Sequence, residues 1–287
     1  MFRRQTSGSV VCPSCGKLVG VRDARCASCG RPYPGMWGYA GLLRRLGDDL
    51  GFVQVVTFGC AALYVASLLA DPSNIGAGGL FGLLSPSRAS LVVFGAAGPG
   101  PVVQLGRWWT VLSAGWLHGG LLHIAFNVLW VRQLGPATAE LYGPGRMVII
   151  YITSSVVGFV ASSLAVFAPA PLAFLLGGGH PLGITVGASA AIFGLLGALV
   201  HYGQRGSSQV GRQAWGYAIV LFAFGLFMQG IDNWAHLGGF AGGWLVSRWL
   251  DPLRPERGNH LLAALLCLVA SAVAVAASFV TGLALLP

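Results

Sequence analysis

Seven apolar segments, near residues 52–70, 111–131, 147–167, 186–203, 214–230, 233–250 and 260–285, constrain the fold more than any other feature of the chain. Several are about as long as the ~20 residues a helix needs to cross a bilayer. Inside lipid every backbone N–H and C=O must be satisfied within the protein, and segments of this length do that as helices. The fourth and sixth segments are short for a span, and the division within 214–250 is the least sharp. Composition agrees, with 55% hydrophobic and 9% charged residues among 287, where soluble domains carry about 25% charged. The expected fold class is an all-α polytopic membrane protein. The exception is the first fifty residues. The net charge of +9 does not point to nucleic acid, because the basic residues sit where a membrane protein places them. No apolar core precedes the first cysteines, so the first apolar segment is expected to act as its own insertion signal.

Arginine placement gives an orientation. Arg3, Arg4, Lys17, Arg22, Arg25, Arg31, Arg44 and Arg45 lead the first segment. Arg132 and Arg146 follow the second, Arg205 and Arg212 the fourth, and Arg248, Arg254 and Arg257 the sixth. The opposite loops hold only Arg88 and Arg107. The amino terminus is therefore expected in the cytoplasm and the carboxyl terminus outside. Abundant arginine beside a single lysine, Lys17, is the usage of a GC-rich bacterial genome, so the bacterial inner membrane is the expected location.

Cys12, Cys15, Cys26 and Cys29 form two Cys-x-x-Cys pairs, each followed by a glycine. Each pair is a tight turn that aims two thiolates at one ion, and two such turns make a tetrahedral zinc site. The segment is too short for a core, so the metal would supply most of its folding energy. Two disulfides are the alternative, disfavoured by a cytosolic location. Four thiolates leave no open position for a substrate, which points to a structural knob or a surface for a cytoplasmic partner. Cys60 and Cys267 lie alone in apolar stretches and read as packing residues.

Polar side chains interrupt the apolar segments at few places, and such residues in lipid usually have a partner and a task. His118, His123 and Asn127 lie in the second segment, Ser189 about one turn into the fourth, and His236 about one turn into the sixth. These three segments run the same way, so all five residues fall at similar depth near the outer face. Singly, each has a plainer role: a serine bonds its own helix backbone, a histidine clamps two helices, an asparagine glues them. His118 and His123 could hold a metal only with a third ligand, and no carboxylate is near. Together they are the parts that attack an acyl carbon and hold the oxyanion. Small residues at four-residue spacing, Ala190, Gly194 and Ala198 in one segment and Ala235, Gly239 and Gly243 in the other, let the two backbones approach. The pair has no obvious third member; Asp232, four residues before His236 on the same helical face but nearer the water, is the one candidate to orient the imidazole.

Three runs resemble the rhomboid family of intramembrane serine proteases: Trp116-Leu117-His118-Gly119-Gly120-Leu121-Leu122-His123-Ile124-Ala125-Phe126-Asn127, then Gly187-Ala188-Ser189-Ala190, then Ala235-His236-Leu237-Gly238-Gly239. The resemblance covers about residues 50–250. It implies Ser189 as nucleophile, His236 as general base, His123 and Asn127 as oxyanion donors beside the Ser189 N–H, and His118 as a structural support. It places Glu140 and Tyr142-Gly143 in a cytoplasmic loop. It implies transmembrane protein substrates, cleaved near the outer ends of their helices, with no catalytic cofactor. Departures are Ala190 where the family has glycine, Arg107-Trp108 in place of a Trp-Arg pair, and Phe193 where some members have tyrosine.

The expected organisation is a zinc-ribbon-like module at 1–34, a linker or surface helix at 35–50, a six-helix core at 51–250, and a linker with a seventh helix at 251–287. The glycine- and proline-rich 71–110 loop is expected to cap the site, and the fifth helix, with Trp215, Phe222, Phe224 and Phe227, to flank it as a gate or face lipid. Two other classes compete. A pseudoprotease that binds membrane proteins is disfavoured by the complete Ser189 and His236 pair. A transporter with a histidine relay predicts carboxylates within helices, where Asp232 alone comes close.

Overall fold

The computed structural model describes residues 4–43, 47–78, 82–176, 183–228 and 230–285. Arg3, Arg44 and Arg45, counted above among the inward-facing basic residues, lie outside them. The amino-terminal segment pairs β1 (Ser9–Val11) with β2 (Leu18–Gly20) in an antiparallel ribbon, Val10 opposite Val19. Its core is small: Val10, Val19, Val21, Cys12, Cys26 and Ala40. A short helix, α1 (Ala40–Leu43), leads toward the membrane part.

There the chain builds α2 (Phe52–Leu69), a hairpin of β3 (Gly76–Gly78) and β4 (Gly82–Ser85), then α3 (Arg88–Phe94) and α4 (Thr110–Ser113). The long helices α5 (Leu121–Tyr142) and α6 (Pro144–Leu164) follow, then the short α7 (Ala170–Leu175). The chain closes with α8 (Ser189–Arg205), α9 (Ser208–Phe227), α10 (Asn233–Ser247) and α11 (Gly258–Leu283). Asp49 receives the Val53 N–H at 2.7 Å, and the Ser87 hydroxyl receives the Ser90 N–H at 3.1 Å, each satisfying a donor that a helix start leaves open.

Among the described residues four helices are long and apolar enough to span: α2, α6 with its 3₁₀ extension to Phe167, α9 and α11. α8 and α10, at 17 and 15 residues, fall short of a span, as their segments foreshadowed. They can be short and glycine-rich because they stand inside the bundle against α6. From Ala190 to His201 every residue of α8 is buried.

The second apolar segment departs from expectation. It is not one helix: Thr110–Trp116 and Leu121–Tyr142 meet at 93°. Gly119 and Gly120 occupy the break, and glycine is about 1 kcal/mol poorer than alanine inside a helix. His118 therefore sits in the bend, not on the helix that carries His123. Glu140 and Tyr142 correct a second expectation. They complete the last turn of α5, and the Tyr142 hydroxyl donates to the Ala198 carbonyl at 2.8 Å.

Where α5 turns into α6, the buried Arg146 gathers the loop before α11. Its guanidinium donates to the carbonyls of Asp251 at 2.7 Å, Arg254 at 2.9 Å and Pro255 at 2.8 Å. Its backbone N–H donates to Glu256 Oε1 at 2.8 Å. Burial pushes the Glu256 carboxyl up from its ordinary range, against the pull of the Arg146 N–H. The amino-terminal segment docks on the same loop: Ser14 Oγ donates to the Glu256 carbonyl at 2.9 Å and accepts from Arg31 at 2.5 Å.

Candidate active site and cysteine cluster

Ser189 is the first residue of α8, not one turn inside it, and Gly187 before it has φ +126°. The first N–H groups of a helix have no intrahelical acceptor, and the Ser189 N–H is the first of α8. His236 is one turn into α10. Its Nε2 lies 2.9 Å from Ser189 Oγ. Phe193, one turn after the serine, stacks on the imidazole with ring centres 4.3 Å apart and planes 16° apart.

Asp232 does not orient that ring. It is the N-cap of α10: Oδ1 accepts from the Ala235 N–H at 3.1 Å and Oδ2 from the Ser162 hydroxyl. A capping carboxylate turns back toward the first-turn donors, away from a ring one turn further on. Among the described residues His236 Nδ1 is buried and has no partner. The pair is a dyad.

His123 reaches the same place from α5. Its Nδ1 accepts from the Gly119 N–H at 3.2 Å, which leaves the ring proton on Nε2. A Cβ added to Gly187 would lie 2.6 Å from that Nε2, so only a glycine admits the ring. Asn127 spends one amide hydrogen on the His123 carbonyl at 2.8 Å and keeps the other. Its Oδ1 is buried without a partner among the described residues. His123, Asn127, Ser189 and His236 all line one cavity of about 870 Å³. His118 does not line it; it is buried behind, its ring edge-on to His123 at 5.1 Å. Leu91 and Pro99 of the first loop and Phe224 of α9 form part of the wall, whereas Phe227 is 85% exposed on the outer surface.

The small-residue stripes pack the two helices backbone to backbone. A Cβ on Gly239 would strike the Ala190 carbonyl, and one on Gly243 the Gly194 carbonyl. Ala190 is accommodated by a neighbour. A Cβ on Gly158 of α6 would lie 2.8 Å from the Ala190 methyl, so the room is supplied across the interface. Ser162, which holds Asp232, and Gly119, which sets the His123 ring, were not singled out from the sequence. The Gly119-Gly120 pair just before a helix was the available signal for the second.

The four amino-terminal cysteines are free thiols whose Sγ atoms all lie within 4.8 Å of one another. Cys12 and Cys29 are 3.8 Å apart, and Cys15 and Cys26 3.6 Å. Those gaps are far beyond a disulfide bond. They match the edge of about 3.8 Å of a tetrahedron with metal–sulfur bonds of about 2.3 Å. The two turns are copies. Cys12 N–H donates to Lys17 O and Gly16 N–H to Cys12 O; Cys26 N–H donates to Arg31 O and Gly30 N–H to Cys26 O. Gly16 and Gly30 both have φ near +70°, at 72° and 71°, a conformation that favours glycine. The cluster can hold a metal ion.

Residues 105–251, more than half of the chain, match the model of the rhomboid domain. The chain is 36% identical over 194 residues to Rhomboid protease GluP of Bacillus subtilis (strain 168), an alignment covering 66% of this chain and 35% of that protein. It is 32% identical over 231 residues to RHOMBOID-like protein 7 of Arabidopsis thaliana, covering 71% and 67%. RHOMBOID-like protein 4 of the same plant is 34% identical over 185 residues, covering 61% and 42%. The chain thus spans about a third of the length of the first of these relatives and two thirds of the second.

Proposed function

The chain belongs to the rhomboid family, and from that premise we propose that it is an intramembrane serine endopeptidase acting through Ser189 and His236. The 2.9 Å contact between Ser189 Oγ and His236 Nε2 is the observation that carries this reading. His236 Nε2 accepts the hydroxyl proton as Oγ attacks the carbonyl carbon of a substrate peptide. Negative charge then develops on the carbonyl oxygen. His123 Nε2–H, the second amide hydrogen of Asn127 and the Ser189 N–H are the donors that meet it. The imidazolium next protonates the leaving amine. Water entering the cavity attacks the acyl-enzyme with the same base, and Ser189 is restored. Phe193 holds the imidazole plane throughout.

The proposed substrates are membrane-spanning proteins, which enter the cavity from the bilayer. In the arginine-based orientation the amino terminus is cytoplasmic, and the cavity opens at the outer face of a bacterial inner membrane. The four cysteines are proposed to hold a structural zinc ion, whose chemistry is to fold residues 1–34 around itself. In this division residues 51–250 are the protease core, 35–50 and 251–257 are connections, and α11 is an addition. The complete dyad in contact favours this reading over a pseudoprotease.

The test is cleavage of a transmembrane substrate in liposomes by the native chain, Ser189→Ala and His236→Ala. Cleavage by the native chain alone is expected. Equal cleavage by Ser189→Ala, or none by the native chain, would overturn the reading. Metal analysis of the purified chain is expected to give one zinc per chain, lost when Cys12 and Cys15 become serine.

A further inference from the structure

We propose that α11 is the wall on which the first loop is set, and that Arg107 is the positioning residue through which this wall orders the approach to Ser189. The catalytic half of this proposal rests on the protease reading.

Arg107 is 4% exposed, in the loop between α3 and α4. Burying a guanidinium is costly unless its donors are met. Here the two terminal nitrogens meet backbone, Nη1 donating to Val92 O at 2.7 Å and Nη2 to Ser278 O at 2.6 Å, while Nε is buried without a partner among the described residues. The first partner is in α3, the second near the end of α11. Among the described residues no carboxylate shares the contact, so the side chain serves as a bridge between two main chains. A planar fork suits that task and a lysine, with one head, does not.

Independent contacts hold the same seam. Ser113 Oγ donates to Gly95 O at 2.8 Å, which leaves the Ser278 hydroxyl to donate to Ser113 at 3.2 Å. Phe279 packs on Phe94 with ring centres 5.3 Å apart. A Cβ on Gly282 would come within 2.5 Å of Val93 Cα, so α11 lies directly against the α3 backbone.

The seam continues to the nucleophile. Just past α3, Ala97 exchanges both backbone bonds with Thr185, at 3.1 and 2.9 Å. Gly100 N–H donates to Gly183 O at 3.2 Å, and Gly187 N–H to Ala114 O at 3.0 Å. Thr185 and Val186 line the cavity, and Gly187 confines the His123 ring. The segment entering α8 is therefore tied to the first loop, and the first loop to α11. The loop's own core of Leu91, Val93, Phe94, Ala96 and Leu117 is small, so an external wall supplies its order.

Amide hydrogen exchange on the full chain in liposomes tests this, with Arg107→Gln, Arg107→Lys and Gly282→Ala beside the native protein. Exchange at Ala97, Thr185 and Gly187 is expected to quicken at least tenfold in Arg107→Gln and Gly282→Ala, and less in Arg107→Lys. Amides in the middle of α8, at Leu195 and Leu196, should keep native protection and certify the fold. Turnover should fall tenfold or more in Arg107→Gln with KM within twofold. Native exchange at those three amides in both Arg107→Gln and Gly282→Ala would overturn the proposal, as would faster exchange with unchanged turnover. Failure of the native chain to cleave would sink the protease reading alone, and exchange would still decide whether α11 sets the loop.

Discussion

Among the described residues the imidazole of His236 has a hydrogen bond at one nitrogen and none at the other, so its orientation rests on the face of Phe193. An aromatic pair contributes about 0.5–1.5 kcal/mol beyond area burial. Phe193→Ala should therefore cut kcat by about two- to tenfold with little change in KM, while Phe193→Tyr, which keeps the stack, should stay close to native. Steady-state cleavage of one substrate by the three proteins checks this. Asn127→Ala removes a proposed oxyanion donor and should cost about 100- to 1,000-fold in kcat. At this scale the sequence was informative about identity. Ser189, His236, His123 and Asn127 were all named, and all line one cavity. It was uninformative about what aims them. The Gly119 N–H that sets the His123 tautomer is a backbone group with no residue signature, and the spacing of Asp232 left open a contact with the His236 ring that its capping role excludes.

The stripes of Ala190, Gly194, Gly239 and Gly243 were legible as close-packing surfaces, because four-residue spacing is a helix face. What spacing could not show is the third helix in the contact. Gly158 of α6 makes room for the Ala190 methyl. Gly158→Ala should overpack the site at a cost of about 1–3 kcal/mol. Adding Ala190→Gly should restore part of that loss, and a double-mutant cycle on unfolding in mild detergent reads the coupling. The break at Gly119-Gly120 was also missed, since hydropathy runs straight through a 93° bend. A running apolar count measures solvent preference, not direction.

Across the whole molecule, local pattern is blind to the longest ties. Arg107 to Ser278 joins residues 171 apart, and Ser14 to Glu256 residues 242 apart. Neither end of either bond carries a periodicity. The Ser14 tie sits on the turn between Cys12 and Cys15, so metal occupancy should be felt by the helices. Chelation is expected to lower the thermal midpoint of the helical part by about 2–4 °C for each kcal/mol of docking lost. In Ser14→Ala the native midpoint should already be lower and the further effect of chelator smaller. Intrinsic fluorescence or circular dichroism on heating, with and without chelator, measures both.

The distance between Ser14 and Glu256 along the chain also sets an order in time. A ribosome adds about 5–20 residues per second, so the 242 residues between them separate the two partners by roughly 10–50 s of synthesis. The cysteine turns are complete before the first spanning helix has left the ribosome, while their landing place is made after the tenth helix. The amino-terminal knob is made first and must wait while the bundle is threaded into the bilayer behind it. Its docking then waits for the loop after α10, a step that no chain ending before Glu256 can make.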